Sequence, residues 1–252
     1  MKKKGLMIVF EGLDGSGKAT QVDLLKMYLN NNGYKISKQI DLFTQFVDQL
    51  NLLSNKDYHY VVYDFPRYYD NFWGKMVGRM LNKEFGKRIN PYLRSPFYLL
   101  DQANACKSMR EALADGKIVI CNRYMTSSMI FQPALFRTKK ARAAYIKWLE
   151  EAAYKHLKLV KPDIVFGLYV DPMVTQELVM KKGVRNYMNG KKKDLNEGNL
   201  KLQIGAGKEL LNLCKTRKNW KLIDCMDGNR IKKPEEINQL IVNTVKSYLD
   251  IK

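Results

Sequence analysis

The chain has 252 residues, of which 46% are hydrophobic and 27% charged, a composition that suits one α/β domain and offers no apolar run long enough to span a membrane. Its 44 basic and 25 acidic residues give a net charge of +19, which favours polyanionic partners such as nucleotides. Because the lysines are spread along the chain, with clusters only at 2–4 and 191–193, we do not expect nucleic-acid binding as the main function.

The cysteines argue against a zinc site. All four are widely separated, no C-x-x-C pair occurs, and there are only two histidines. Cys121 and Cys225 end apolar runs, where a free cysteine usually behaves as a small buried hydrophobe. The apolar run Leu6–Phe10 is too short for a signal peptide. Together these features predict a cytoplasmic protein with reduced thiols.

Apolar runs alternate with helical stretches along the chain. Uninterrupted apolar runs indicate strands that are buried on both faces, as in a parallel sheet. The predicted strands are Leu6–Phe10, Tyr60–Phe65, Ile118–Cys121, Ile164–Val170 and Lys221–Asp224. The predicted helices are Lys18–Asn31, Pro91–Leu113, Ala141–Leu159 and Glu235–Leu249. This alternation predicts a doubly wound α/β fold, with a five-stranded parallel sheet and helices on both faces, in one domain over residues 1–252.

A glycine-rich motif lies between the first predicted strand and the first predicted helix. Residues 12–18 fit the phosphate-loop pattern G-x-x-x-x-G-K in the strand–loop–helix setting that the pattern requires. Glycines let successive N–H groups surround phosphate oxygens, and the helix N-terminus adds positive charge. Lys18 supplies a mobile charge for the β and γ phosphates. The predicted ATP site comprises Gly12, Leu13, Asp14, Gly15, Ser16, Gly17, Lys18, Ala19 and Thr20.

The residue after this lysine departs from the usual pattern. A Ser or Thr hydroxyl normally binds Mg²⁺ at this position, whereas this chain has Ala19 followed by Thr20. Thr20 is therefore a weak candidate for a metal ligand.

Several segments, taken in order, resemble the thymidylate kinase family. They are Phe10–Lys18, Phe65–Tyr68, Tyr98–Gln102, Asn122–Tyr124, Lys161–Asp163 and Tyr169–Pro172. The resemblance covers most of the chain except residues 38–59, which look like an insertion with a short helix at Asp41–Leu53. It implies a P-loop kinase fold, transfer of the ATP γ-phosphoryl group to dTMP to give dTDP, Mg²⁺ bound with ATP, and a homodimer.

The same resemblance implies an acceptor site. Arg67 and Arg123 are expected to bind the acceptor phosphate, since guanidinium groups grip phosphate oxygens with two donors. Tyr98 is expected to stack on the base, and Phe131 to pack near the sugar. The acceptor set is Asp14, Phe65, Arg67, Tyr98, Gln102, Arg123, Ser128 and Phe131.

A basic, glycine-punctuated segment at 180–198 resembles the lid of these kinases. Family members with glycine in place of arginine in the phosphate loop carry the catalytic arginine in this lid. Because the loop here has Gly15, the resemblance implies Arg185 as that arginine, with Lys181 and Lys182 beside it. The catalytic set is then Lys18, Arg185, Asp14 and Arg123.

Three departures from the family pattern leave the acceptor and the activity open. Gln102 replaces an arginine that reads the thymine carbonyl, and Ser128 stands where many members have asparagine. Asn122 replaces an aspartate that helps to organise Mg²⁺, and is kept as a weak metal candidate. Two alternatives to dTMP kinase activity follow: a kinase for another or modified deoxynucleotide, or a nucleotide-binding protein with impaired catalysis. The intact lysine and arginines argue against the second.

Overall fold

The computed structural model describes residues 5–36, 58–86, 89–181 and 199–249, and its centre is the predicted five-stranded parallel sheet. The strands are β1 (Leu6–Gly12), β2 (Tyr60–Asp64), β3 (Ile118–Asn122), β4 (Ile164–Tyr169) and β5 (Trp220–Asp224). Their order across the sheet is β2-β3-β1-β4-β5, so β1 is central. Since all five strands are parallel, their carboxyl ends meet at one edge, where ligands bind in such sheets.

Eight α-helices connect or follow these strands in the part of the chain that the structure describes. They are α1 (Lys18–Asn31), α2 (Phe72–Leu81), α3 (Pro91–Ala114), α4 (Met125–Phe131), α5 (Lys139–Glu150), α6 (Pro172–Lys181), α7 (Leu200–Thr216) and α8 (Pro234–Leu249). A short hairpin of β6 (Met226–Asp227) and β7 (Arg230–Ile231) precedes α8. Local sequence sets the start of α3, where the Asn90 side chain accepts the Tyr92 N–H and Pro91 occupies the first turn.

Different helices cover the two faces of the sheet. Side chains of the fully buried strand β1 alternate between these faces. Met7 and Val9 share a core with residues of α3, α4, α5 and α7. Ile8 and Phe10 share the opposite core with residues of α1 and α8. The predicted doubly wound arrangement is confirmed.

One predicted helix is divided. The sequence predicts a helix over Ala141–Leu159, but α5 ends at Glu150 and a π-helical turn follows at Glu151–His156. In this wider turn the Leu157 N–H reaches back five residues to the Ala152 carbonyl, at 3.0 Å. Apolar spacing did not reveal the change, because one wider turn keeps neighbouring apolar residues on roughly the same side.

The predicted insertion at residues 38–59 lies largely outside the described residues, as does its helix at Asp41–Leu53. Where the chain enters and leaves this segment, Ile36 forms an isolated parallel bridge with Tyr60. Cys121 and Cys225 are completely buried free thiols, as predicted. No helix in the described ranges combines the length and apolar character needed to cross a membrane.

Candidate active site

The loop between β1 and α1 has the backbone geometry of a phosphate cradle. Gly15 and Gly17 adopt positive φ angles of 86° and 83°, a region that disfavours residues with a β-carbon. A β-carbon at Gly12 would lie 2.6 Å from the Leu168 carbonyl oxygen, so β4 leaves no room for a larger residue there. The loop ends at Gly17, which precedes the first turn of α1.

Lys18 lies inside this loop. Its side chain is buried, and Nζ donates to the carbonyl oxygens of Gly12 at 3.1 Å and Leu13 at 2.6 Å. A third contact joins Nζ to Ser16 Oγ at 3.3 Å. The loop therefore holds the ammonium group beside its own backbone, where an incoming phosphate can take over these hydrogen bonds.

A cavity of about 470 Å³ opens from this loop along the carboxyl edge of the sheet. It brings together most of the predicted ATP-binding and acceptor-binding residues. Those that line it are Asp14, Gly15, Gly17, Lys18, Ala19, Thr20, Phe65, Tyr98, Gln102, Arg123, Ser128 and Phe131. The predicted metal candidate Asn122 lines it as well. Donor phosphates and an acceptor nucleotide could thus share one space.

Arg123 lies at the junction of the two ends of this cavity. Its guanidinium group donates to Asp14 Oδ1, to the Gly12 carbonyl at 3.2 Å and to Ser127 Oγ at 3.4 Å. It also lies 5.4 Å from the centre of the Phe131 ring. The backbone of Arg123 has a φ of 65°, and its N–H donates to the Phe10 carbonyl on β1. These contacts fix a positive charge beside the phosphate loop.

Glu11 anchors the residues that follow Arg123, and it was not among the site residues predicted from the sequence. The carboxylate is fully buried and accepts hydrogen bonds from the Tyr124 N–H and from the hydroxyls of Thr126 and Ser127. Burial raises the pKa of Glu11, while Arg123 and the two hydroxyl donors oppose the shift. The sequence contained one signal for its role: Glu11 lies between an apolar strand and the glycine motif, where a buried charged side chain needs hydrogen-bond partners.

The end of the cavity where the acceptor is expected to bind is lined by aromatic and amide side chains. Tyr98 and Phe131 lie on its wall, and Gln102 and Ser128 are each about 3% exposed. Gln102 Oε1 is buried without a hydrogen-bond partner in the described structure, as is Oε1 of Gln132, a lining residue that sequence reasoning missed. A buried acceptor without a partner is costly, so a donor on a bound ligand would stabilise it.

Arg67 is buried and engaged by residues of α3. Its guanidinium group donates to Asp101 Oδ1 at 3.1 Å, to the Asp101 carbonyl at 2.6 Å and to Asn104 Oδ1 at 2.9 Å. This buried ion pair fastens the segment after β2 to α3. The lining within the described residues does not include Arg67, so its role as a phosphate ligand stays a prediction.

The metal candidates lie near the phosphate loop. Thr20 is exposed and lines the cavity beside Ala19. Asn122 Nδ2 donates to Asp64 Oδ1 at 2.9 Å, and Asn122 Oδ1 is buried without a partner in the described structure. Within the described ranges, no group of three or more His, Cys, Asp or Glu residues is placed to hold a metal ion.

The segment predicted as a lid lies mainly outside the described residues. Helix α6 runs to Lys181, so the first two residues of the predicted segment 180–198 are helical. Arg185 and Lys182 lie outside the described residues, and their roles stay predictions.

The sequence model described as thymidylate kinase matches residues 43–233, which is more than half of the chain. The chain belongs to the thymidylate kinase family. The matched range begins after the phosphate loop, which is identified by its own motif and geometry. It includes α3 and β3, which carry Tyr98, Gln102 and Asn122.

Two relatives and one solved structure carry the same family name. A probable thymidylate kinase of Thermococcus kodakarensis is 27% identical over 251 residues, covering 97% of this chain and 98% of that protein. The thymidylate kinase of Plasmodium falciparum is 30% identical over 178 residues, covering 69% of this chain and 66% of that protein. The thymidylate kinase structure from Candida albicans shares the fold, with a TM-score of 0.67 at 18% identity over 97% of this chain and 92% of that one.

Proposed function

We propose that this protein transfers the γ-phosphoryl group of ATP to dTMP, giving ADP and dTDP. One observation carries the proposal: the cavity that begins at the Lys18 loop continues without a break to Tyr98 and Gln102. Family membership supports the same reaction. A site of this shape holds the two substrates close together and so lowers the entropy cost of their reaction.

The side chains act chiefly by charge and position, since phosphoryl transfer needs little covalent chemistry from the protein. Lys18 neutralises negative charge on the donor phosphates. Arg123 faces both the phosphate loop and the acceptor end, so we assign it to the acceptor phosphate and to the group in transfer. Asp14 holds Arg123 in this orientation.

The proposal includes Mg²⁺ bound with ATP. The ion would neutralise phosphate charge and orient the donor. Thr20 and Asn122 offer oxygen atoms of the kind that Mg²⁺ prefers, and the partnerless Asn122 Oδ1 fits such a role. Because these are few, ATP phosphates and water would provide most of the ligands. We also propose a cytoplasmic homodimer, which the family resemblance implies.

A coupled assay of ADP release, run over a panel of deoxynucleoside and ribonucleoside monophosphates, tests the reaction. Turnover with dTMP supports the proposal. Turnover confined to a different monophosphate would support the alternative acceptor instead. Nucleotide binding without ADP release would support the nucleotide-binding protein with impaired catalysis.

Base preference is expected to be weaker than in an arginine-bearing relative. The Gln102 amide offers both an acceptor and a donor, so it can pair with the N3–H and a carbonyl of thymine or, turned over, with cytosine. An arginine offers donors only. We therefore expect dTMP to be accepted with modest preference over dUMP, dCMP and dGMP, and Gln102→Arg to sharpen that preference.

The measurement is kcat/KM for each acceptor in wild type and in Gln102→Arg. Gln132→Leu is the comparison, since Gln132 lines the same cavity and also has a partnerless Oε1. A change in preference with Gln132→Leu but none with Gln102→Arg would assign base reading to Gln132. A wild type that already excludes all acceptors except dTMP would also contradict the expectation.

Arg185→Ala is expected to lower kcat by about 100-fold with little change in the KM for dTMP, because a lid arginine acts on the group in transfer. Lys201→Ala, an exposed charge change at the start of α7, is the control. A raised KM for dTMP with unchanged kcat would make Arg185 an acceptor ligand and contradict the lid assignment.

A further inference from the structure

Asp64 and Asn122 form a matched pair at the carboxyl ends of neighbouring strands. They are register partners in the β2–β3 ladder, and Asn122 is in turn the register partner of Phe10 on β1. Asn122 Nδ2 donates to Asp64 Oδ1 at 2.9 Å. Both residues line the cavity that also contains Lys18 and Thr20. A carboxylate therefore stands one strand further from the phosphate loop than Asn122.

Asp64 supplies a carboxylate near the phosphate loop, where two of the usual metal-binding groups are missing from this chain. In P-loop enzymes the metal ion is usually held by a hydroxyl directly after the loop lysine and by an aspartate on a nearby strand. Here Ala19 has no hydroxyl, and Asn122 has an oxygen atom but no charge. Asp64 is the acidic residue that the sheet brings into contact with Asn122.

The surroundings of the pair favour a bound cation. Asn122 Oδ1 is buried and has no hydrogen-bond partner in the described structure, although its amide nitrogen is engaged by Asp64. Much of the Asp64 surface remains open to the cavity. An ion with a hard oxygen preference would find one neutral and one charged donor here.

We propose that Asp64 supplies the charged oxygen that holds the magnesium ion of the Mg–ATP complex, and that Asn122 serves the same ion as a neutral donor. Asp64 is thus a direct ligand of the metal. This inference rests on the proposed function, because it presupposes a metal–ATP donor.

The test measures metal binding directly. Mn²⁺ replaces Mg²⁺, and the free ion is titrated by electron paramagnetic resonance against protein saturated with a non-hydrolysable ATP analogue. Asp64→Asn keeps the size and an acceptor for the Asn122 amide but removes the charge. The exchange variant Asp64→Asn with Asn122→Asp returns the carboxylate on the adjacent strand. Asp23→Asn is the matched control, an exposed aspartate on α1 that acts on Asp64 only through long-range charge.

We expect Asp64→Asn to weaken Mn²⁺ binding by about tenfold or more, the usual cost of losing a group that holds or orients a metal. The exchange variant should recover most of this loss, and Asp23→Asn should bind as the wild type does. Analogue affinity measured without metal should be similar in all four proteins, which also reports correct folding.

Three results would overturn the inference. They are wild-type Mn²⁺ affinity in Asp64→Asn, equal losses in Asp64→Asn and Asp23→Asn, and no recovery in the exchange variant. If the wild type itself fails to bind the ATP analogue, the proposed function fails and the inference fails with it. Analogue binding with unaltered Mn²⁺ affinity in Asp64→Asn would refute the role of Asp64 alone.

Discussion

Lys18→Ala is expected to lower kcat by at least about 100-fold while the fold is retained. The ammonium group lies inside the loop, within hydrogen-bond distance of the Gly12 and Leu13 carbonyl oxygens, where donor phosphates are expected to bind. Its removal takes away a charge that stabilises the phosphoryl group in transfer. Alanine is a strong helix former, so the first turn of α1 should survive the substitution.

The assay is ADP release at saturating ATP and dTMP, together with thermal unfolding. Lys26→Ala is the matched control, because Lys26 lies on the same helix, is partly exposed and pairs only with the exposed carboxylate of Asp23 in the described structure. We expect Lys26→Ala to keep activity within about twofold, as surface ion pairs contribute little. Near-normal turnover in Lys18→Ala would refute the phosphate-loop assignment.

Arg123→Ala is expected to lower kcat/KM for dTMP by about 100-fold. The guanidinium group bridges Asp14, the Gly12 carbonyl and the ring of Phe131, and so holds positive charge between the two substrate positions. Removal of a donor that meets transition-state charge commonly costs 10²-fold or more. Arg123→Lys should fall between wild type and alanine, because lysine keeps the charge but loses the fork that grips two oxygens.

The control for Arg123→Ala is Arg110→Ala. Arg110 lies on α3 and donates to the Lys158 carbonyl on the protein surface, so the same net charge is lost away from the cavity. We expect Arg110→Ala to leave kcat/KM nearly unchanged. Equal losses in both variants would mean that overall charge, rather than the placement of Arg123, governs acceptor binding.

Much of the fold could be predicted from local sequence. Each of the five apolar runs is a strand. The three inner strands β1, β3 and β4 are buried because helices cover both faces of the parallel sheet, whereas the edge strands β2 and β5 are partly exposed. The phosphate loop could also be predicted, because its glycines and Lys18 lie close together in the chain and its function depends on local backbone geometry. The π-helical turn after α5 could not be predicted, because the spacing of apolar residues does not distinguish it from a continuing α-helix.

Pairings between distant residues required the tertiary structure. Asp64 and Asn122 are 58 positions apart in the sequence, and only the β2–β3 register makes the carboxylate a neighbour of the amide. Asp101 was predicted as part of a family motif, and the structure shows that it holds Arg67 in a buried ion pair.

The sequence by itself determined the sheet and the phosphate loop, because strand burial and loop geometry depend on neighbouring residues. The acceptor-side residues of the cavity followed only from the resemblance to thymidylate kinases. Only the tertiary structure decided how Glu11 is satisfied by Thr126 and Ser127, and which carboxylate stands beside Asn122. These contacts arise where parallel strands end at a common edge, and that edge gathers side chains whose separation in the chain carries no signal of their contact.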